Sequence, residues 1–87
     1  DATILTKAFN VVSTVASGAG VVLPTADAGM RVTIVNTSAN TVIVYPATGV
    51  AINSLATNAG VSLPTVGRLD YIATSTTQWY AMGAIYV

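Results

Sequence analysis

Chemistry in this chain of 87 residues would have to come from very few side chains. It has three acidic residues, Asp1, Asp27 and Asp70, three basic ones, Lys7, Arg31 and Arg68, and neither histidine nor cysteine. Without imidazole or thiolate, the usual nucleophile–base pairs and zinc sites cannot be built, and the Ser and Thr hydroxyls have no activating base. Asp27 and Asp70 would make a carboxylate pair of the glycosidase kind only if the fold brought them together, and nothing in the sequence does so. Asp70 lies two residues from Arg68, so on a strand the two side chains share a face and are expected to pair there or with a partner. These residues read as structural, which implies no enzyme, no cofactor and no metal.

Two local motifs resolve in the same way. Gly18-Ala19-Gly20 lacks the lysine of a phosphate loop and the helix that such a loop opens, so it reads as a turn. Asn36-Thr37-Ser38 fits the glycosylation acceptor pattern, but these residues are also what a hairpin tip requires, and that is the reading adopted. What remains are residues suited to contacts. Arg31 and Arg68 are arginines in a charge-poor chain, where a guanidinium is expected to make a specific contact across an interface. Trp79, Tyr80 and Tyr86 cluster late in the sequence, where aromatic rings could stack on a sugar or anchor an interface. The candidate interface residues are therefore Arg31, Arg68, Asp70, Trp79, Tyr80 and Tyr86.

The elements that must carry them are strands. β-branched residues are dense, and Gly, Pro, Asn and Ser punctuate the runs at short intervals. The pattern predicts strands near Leu5–Val15, Gly20–Leu23, Met30–Asn36, Thr41–Tyr45, Val61–Leu63, Leu69–Thr74 and Gln78–Val87. Asn36 to Thr41 reads as the strongest hairpin turn, and Ser75-Thr76-Thr77 as a weaker one, pairing the strand of Tyr71 and Ile72 with that of Trp79 and Tyr80. The spacing implies one all-β domain over residues 1–87, a small antiparallel β-sandwich or β-barrel.

Composition points to self-association. The chain is 53% hydrophobic and only 7% charged, against about 25% charged in ordinary soluble domains, and its mean hydropathy is +0.69. No helix explains this, because the longest apolar runs, such as Val42–Tyr45 and Trp79–Met82, are four residues, where a spanning helix needs roughly 20. A membrane barrel assembled from several copies would carry aromatic girdles, and no clear ones flank these strands. Several strands are apolar on both faces: Val32 and Ile34 alternate with Thr33 and Val35, and Val42 and Val44 with Ile43 and Tyr45. A chain this small covers every strand twice only with difficulty, so the expected partner is the chain itself, in a closed oligomer. With a net charge of zero there is no basic patch for a phosphate backbone, so neither nucleic acid nor membrane is an expected partner.

An internal repeat organises the chain. Ala16 to Thr25 matches Ala56 to Thr65 at seven of ten positions, at an offset of 40 residues. Each copy continues into a glycine, an arginine and a strand, Gly29-Met30-Arg31 and Gly67-Arg68. Residues 16–49 and 56–83 thus read as pseudo-repeat halves of one β-motif, with residues 1–10 as an N-terminal arm. Two copies fall short of a solenoid.

The segments Gly20-Val21-Val22-Leu23-Pro24, Gly29 to Asn36, Val44-Tyr45-Pro46-Ala47-Thr48-Gly49, Ile52-Asn53, Leu55-Ala56 and Gln78-Trp79-Tyr80-Ala81 carry a resemblance. In that order, over residues 20–83, they resemble small β-domains of tailed-bacteriophage structural proteins. The resemblance implies a homotrimer that decorates and stabilises a phage head, with the major capsid protein as partner and the outer capsid surface of the virion as location. Two alternatives share the composition: a head or tail fibre module that binds a receptor or carbohydrate through an aromatic shelf at Trp79, and a self-assembling filament or surface-layer subunit.

Overall fold

The computed structural model describes residues 3–16 and 18–82. Nine strands and no helix are found among them: β1 (Thr3–Ile4), β2 (Phe9–Val12), β3 (Gly20–Val22), β4 (Arg31–Asn36), β5 (Val42–Tyr45), β6 (Ala51–Ile52), β7 (Val61–Leu63), β8 (Arg68–Ser75) and β9 (Gln78–Met82). They form a four-stranded sheet in the order β1-β3-β5-β7 and a five-stranded sheet in the order β2-β4-β8-β9-β6. The all-β expectation therefore holds. Neither sheet closes into a barrel, and the sheets are mixed, with β1–β3, β2–β4, β3–β5 and β6–β9 parallel and β4–β8, β5–β7 and β8–β9 antiparallel.

The departure from an antiparallel meander follows from how the chain winds. Through β8, each odd strand joins the four-stranded sheet and each even strand the five-stranded one. The connections between these strands are four residues or longer, enough to cross the ~10 Å between packed sheets. Among the described strands only β8 and β9, joined by two residues, are sequential neighbours in one sheet. The Ser75–Thr77 turn is accordingly a hairpin as expected, held by the Thr77 N–H donating to the Ser75 hydroxyl at 3.2 Å. The Asn36–Thr41 segment is not a hairpin: it carries the chain from β4 in one sheet to β5 in the other.

That crossing is built around a buried asparagine. The Asn36 amide donates to the carbonyls of Asn40 at 2.8 Å and Leu63 at 2.9 Å, and its side-chain oxygen accepts from the Ser38 N–H at 3.0 Å and hydroxyl at 2.6 Å. All four hydrogen-bonding positions of the side chain are filled. With Asn36 fully buried, the acceptor pattern at Asn36-Thr37-Ser38 offers no accessible nitrogen for a glycan.

Alternation along the strands sets the core between the sheets. Val21, Val42, Val44 and Leu63 from one sheet and Val32, Ile34, Ile52, Tyr71, Ala73 and Trp79 from the other belong to a single buried cluster. The repeated segments lie either side of β5, with β3 parallel to it and β7 antiparallel, so the two copies run in opposite directions. Gly20 and Gly60, one from each copy, leave room for the Tyr45 ring between them. A Cβ at Gly20 would lie 2.7 Å from Tyr45 Cε2, and one at Gly60 2.9 Å from Cδ1 on the opposite ring edge.

Thr3 and Ile4 pair with Val21 and Val22 of the same chain, and Phe9–Val12 with Thr33–Asn36. The predicted Leu5–Val15 strand is broken, because Thr6 to Ala8 carry the chain from one sheet to the other.

Candidate interaction surface

The registers of the five-stranded sheet decide which side chains share its outer face. On β4 the buried residues are Val32, Ile34 and Asn36, so Arg31, Thr33 and Val35 point outward; on β8 the buried Tyr71 and Ala73 leave Arg68, Asp70 and Ile72 outward. Pairing sets Arg31 beside Ile72, Thr33 beside Asp70 and Val35 beside Arg68. Tyr80 of β9 lies beside Ile72, Phe9 of β2 beside Thr33, and Val11 beside Val35. The result is a polar centre with apolar residues on both sides.

Asp70 organises that centre. The Thr33 hydroxyl donates to one carboxylate oxygen at 2.6 Å, and the Arg31 guanidinium to the other at 3.2 Å. The Thr33 hydrogen bond first, then that from Arg31, hold the Asp70 carboxyl below its ordinary range; desolvation opposes them, and the charges of Arg31 and Arg68 add to them. The Arg31 side chain is 62% exposed and that of Asp70 35%. An ion pair this open contributes at most about 1 kcal/mol to stability. Its value is orientation: it fixes one acidic and one basic group in the middle of the face, between the apolar flanks.

The apolar flanks are unusually open for side chains of this size. Phe9 is 61% exposed, Val11 53% and Tyr80 47%. At one end of the sheet Val66, 59% exposed, precedes Gly67, whose carbonyl accepts from the Asn36 N–H at 2.9 Å. At another side, a cleft of about 320 Å³ opens between the β1–β2 connection and the start of β4, with Lys7, Met30 and Arg31 among its lining residues.

Of the residues singled out by sequence, Arg31, Arg68, Asp70 and Tyr80 fall on this one face. Trp79 does not: it alternates with Tyr80 and points inward, fully buried in the core, with no hydrogen-bond partner for its indole nitrogen. A sugar-stacking shelf at Trp79 has no exposed ring to work with. Tyr86 lies outside the described residues. Asp27, in the turn before β4, is apart from the Asp70 cluster in its bonding, its carbonyl accepting from the Met30 N–H at 3.0 Å. Among the described residues no group of three or more acids forms a metal site.

Phe9, Val11 and Thr33 belong to the face and were not among the candidates. In Phe9-Asn10-Val11-Val12 the alternation suggests Phe9 and Val11 inward and Asn10 outward. The structure inverts this: Val12 packs against the core and the Asn10 amide bonds the Lys7 carbonyl at 3.0 Å. The available signal was the register with β4, which no local pattern encodes. No family model, curated protein or solved structure matches the chain.

Proposed function

We propose that this protein is a non-catalytic structural subunit that associates with copies of itself through the outer face of its five-stranded sheet and coats a larger assembly. The observation that carries the reading is the set of Phe9, Val11 and Tyr80, each about half exposed or more around the Arg31–Asp70 pair. Large exposed apolar side chains gathered on one face mark interaction sites. The face also holds charges of both signs, so a second copy can meet it without stranding like charges. The lack of histidine and cysteine supports a role without catalysis.

The assembly in view is the outside of a tailed-phage head, with the major capsid protein beneath. This part of the proposal rests on the residues that resemble phage structural domains and on the small β-domain they occupy. A ligand that binds only the assembled shell stabilises it by mass action. The two-sheet core reads as a small sandwich; the three copies that the resemblance implies would need head-to-tail contacts between different surfaces, whereas two copies can meet through one surface used twice, and sedimentation decides between them.

Sedimentation of the purified chain tests self-association: a defined oligomer at micromolar concentration is expected, and a single 8.8 kDa chain at high concentration would overturn the proposal. Open-ended growth would favour the filament reading instead. For the shell, heads stripped of the protein are expected to release DNA at a lower temperature than decorated heads.

A further inference from the structure

The edge strand β2 carries an arrangement that the outer face alone does not explain. Among the described residues it ends the five-stranded sheet, with β4 on one side only. The Ala8 carbonyl accepts from the Thr33 N–H at 2.7 Å and the Val12 carbonyl from the Thr37 N–H at 2.9 Å. In a parallel ladder this fixes Ala8, Asn10 and Val12 as the residues bonded to β4 and turns the backbone N–H and C=O of Phe9 and Val11 to the open edge. The same two residues hold the exposed apolar side chains. Open edges are normally guarded by Pro, by charge or by a covering segment. Here the strand is Phe-Asn-Val-Val, with no charge and no proline.

We propose that β2 pairs antiparallel with β2 of a second copy, so that two five-stranded sheets join into one across a two-fold axis at Asn10. The inference rests on the self-association reading above and adds to its face a contact along the adjoining edge. The strand is complementary to itself in this register. Phe9 stands opposite Val11 of the second copy, and Val11 opposite Phe9, so the residues with free backbone groups face each other as the hydrogen-bonded pairs. Each apolar side chain then lies against another across the strands, as stable cross-strand pairs require. Asn10 meets Asn10 at the axis, and no residue of the strand is charged, so no like charges are opposed. A two-fold contact uses one patch twice, and this strand satisfies that condition without a second surface.

Hydrogen exchange with sedimentation tests the pairing on the native chain. The expected mass is that of two 8.8 kDa chains, and in that species the Phe9 and Val11 amides exchange at least about tenfold more slowly than after dissociation by dilution. Val11→Pro removes an N–H that faces the open edge and none that bonds β4, so an edge strand tolerates it; the expected result is loss of the two-chain species with the β-sheet circular dichroism retained. An associated native chain whose Phe9 and Val11 amides exchange as fast as in the dissociated chain overturns the pairing and leaves self-association standing. So does a folded Val11→Pro variant that keeps the native mass. A native chain that stays single at high concentration overturns both. Should the proline variant fail to fold, the native exchange rates decide alone.

Discussion

The two copies of the internal repeat begin alike and end differently. In each, a glycine beside Tyr45 leads into a short strand of the four-stranded sheet, then a Leu-Pro-Thr segment crosses to a longer strand of the five-stranded sheet, β4 in the first copy and β8 in the second. β4 and β8 lie side by side and antiparallel. After β4 the chain crosses back through Asn36; after β8 it turns on Thr76-Thr77 and stays in the sheet as β9. The same motif thus has two exits. A buried, fully bonded asparagine ends one strand, and a two-residue turn ends the other, so the exit chemistry and not the strand selects the topology.

Removing that asparagine is the most severe way to break the difference. Asn36→Ala strips a partner from the Leu63 carbonyl and from the Ser38 N–H, while the Asn40 carbonyl keeps the Ser38 hydroxyl at 2.9 Å. With buried polar groups left unpaired at about 1–3 kcal/mol each, denaturant unfolding is expected to show a loss of about 3 kcal/mol or more. The second copy supplies the contrast. Tyr71, at the inward centre of β8, is as buried as Asn36, but its hydroxyl has no partner. Tyr71→Phe deletes only that hydroxyl and is expected to fall within about 1 kcal/mol of the parent at neutral pH. Burial raises the Tyr71 pKa above its ordinary value of 10.0, so the folded state keeps the proton where the unfolded chain releases it. The parent is therefore expected to lose stability as pH climbs past about 10, by up to about 1.4 kcal/mol per pH unit, and the phenylalanine variant to lose less. Equal alkaline slopes would show that the Tyr71 hydroxyl reaches water.

The repeat glycines give a graded comparison. A Cβ at Gly20 would press on the Ile43 carbonyl oxygen, which belongs to the backbone of the central strand β5, as well as on the Tyr45 ring. A Cβ at Gly60 meets only side chains, Ile43 Cγ2 at 2.6 Å and the Tyr45 ring at 2.9 Å. Backbone cannot rotate away and side chains can. Gly20→Ala is expected to cost about 2–3 kcal/mol and Gly60→Ala about 1 kcal/mol, within the range of overpacked cores. Thermal unfolding of the two variants would sharpen the comparison by ranking them; equal losses would mean that Tyr45, not the β5 backbone, limits both sites.

Much of this architecture could be read from the amino acids. Strand positions other than the two-residue β1 and β6 follow β-branched density, the Ser75–Thr77 hairpin follows its flanking strands, and the repeat announces itself. Which strands pair could not be read, because a polar turn such as Asn36–Thr41 suits a hairpin and a sheet crossing equally, and only burial of Asn36 tells them apart. The candidate face was half legible. Arg31, Arg68 and Asp70 stand out because charge is scarce, whereas Phe9 and Val11 are indistinguishable from core residues until the β4 register turns them outward. Trp79 and Tyr80 show the same limit, since adjacent strand residues take opposite faces and a shift of one residue exchanges them.

A small gain in stability is expected from the turns that open β4 and β8. Two residues before Arg31, Gly29 has φ 89°, and two residues before Arg68, Val66 has φ 60°. The Met30 N–H bonds the Asp27 carbonyl at 3.0 Å, and the Gly67 N–H bonds the Pro64 carbonyl at 3.0 Å, so both are four-residue turns with the left-handed residue third. One copy fills that position with the residue it favours, and the other with a β-branched side chain that sits there at a cost of about 1–3 kcal/mol. Glycine relieves the strain and returns part of it as unfolded-state entropy. Val66→Gly is therefore expected to stabilise the chain by about 1 kcal/mol, read as a higher denaturant midpoint at unchanged m-value. A Val66→Gly variant less stable than the parent would show that the valine side chain, although mostly exposed in the single chain, makes contacts worth more than the backbone strain that holds it out.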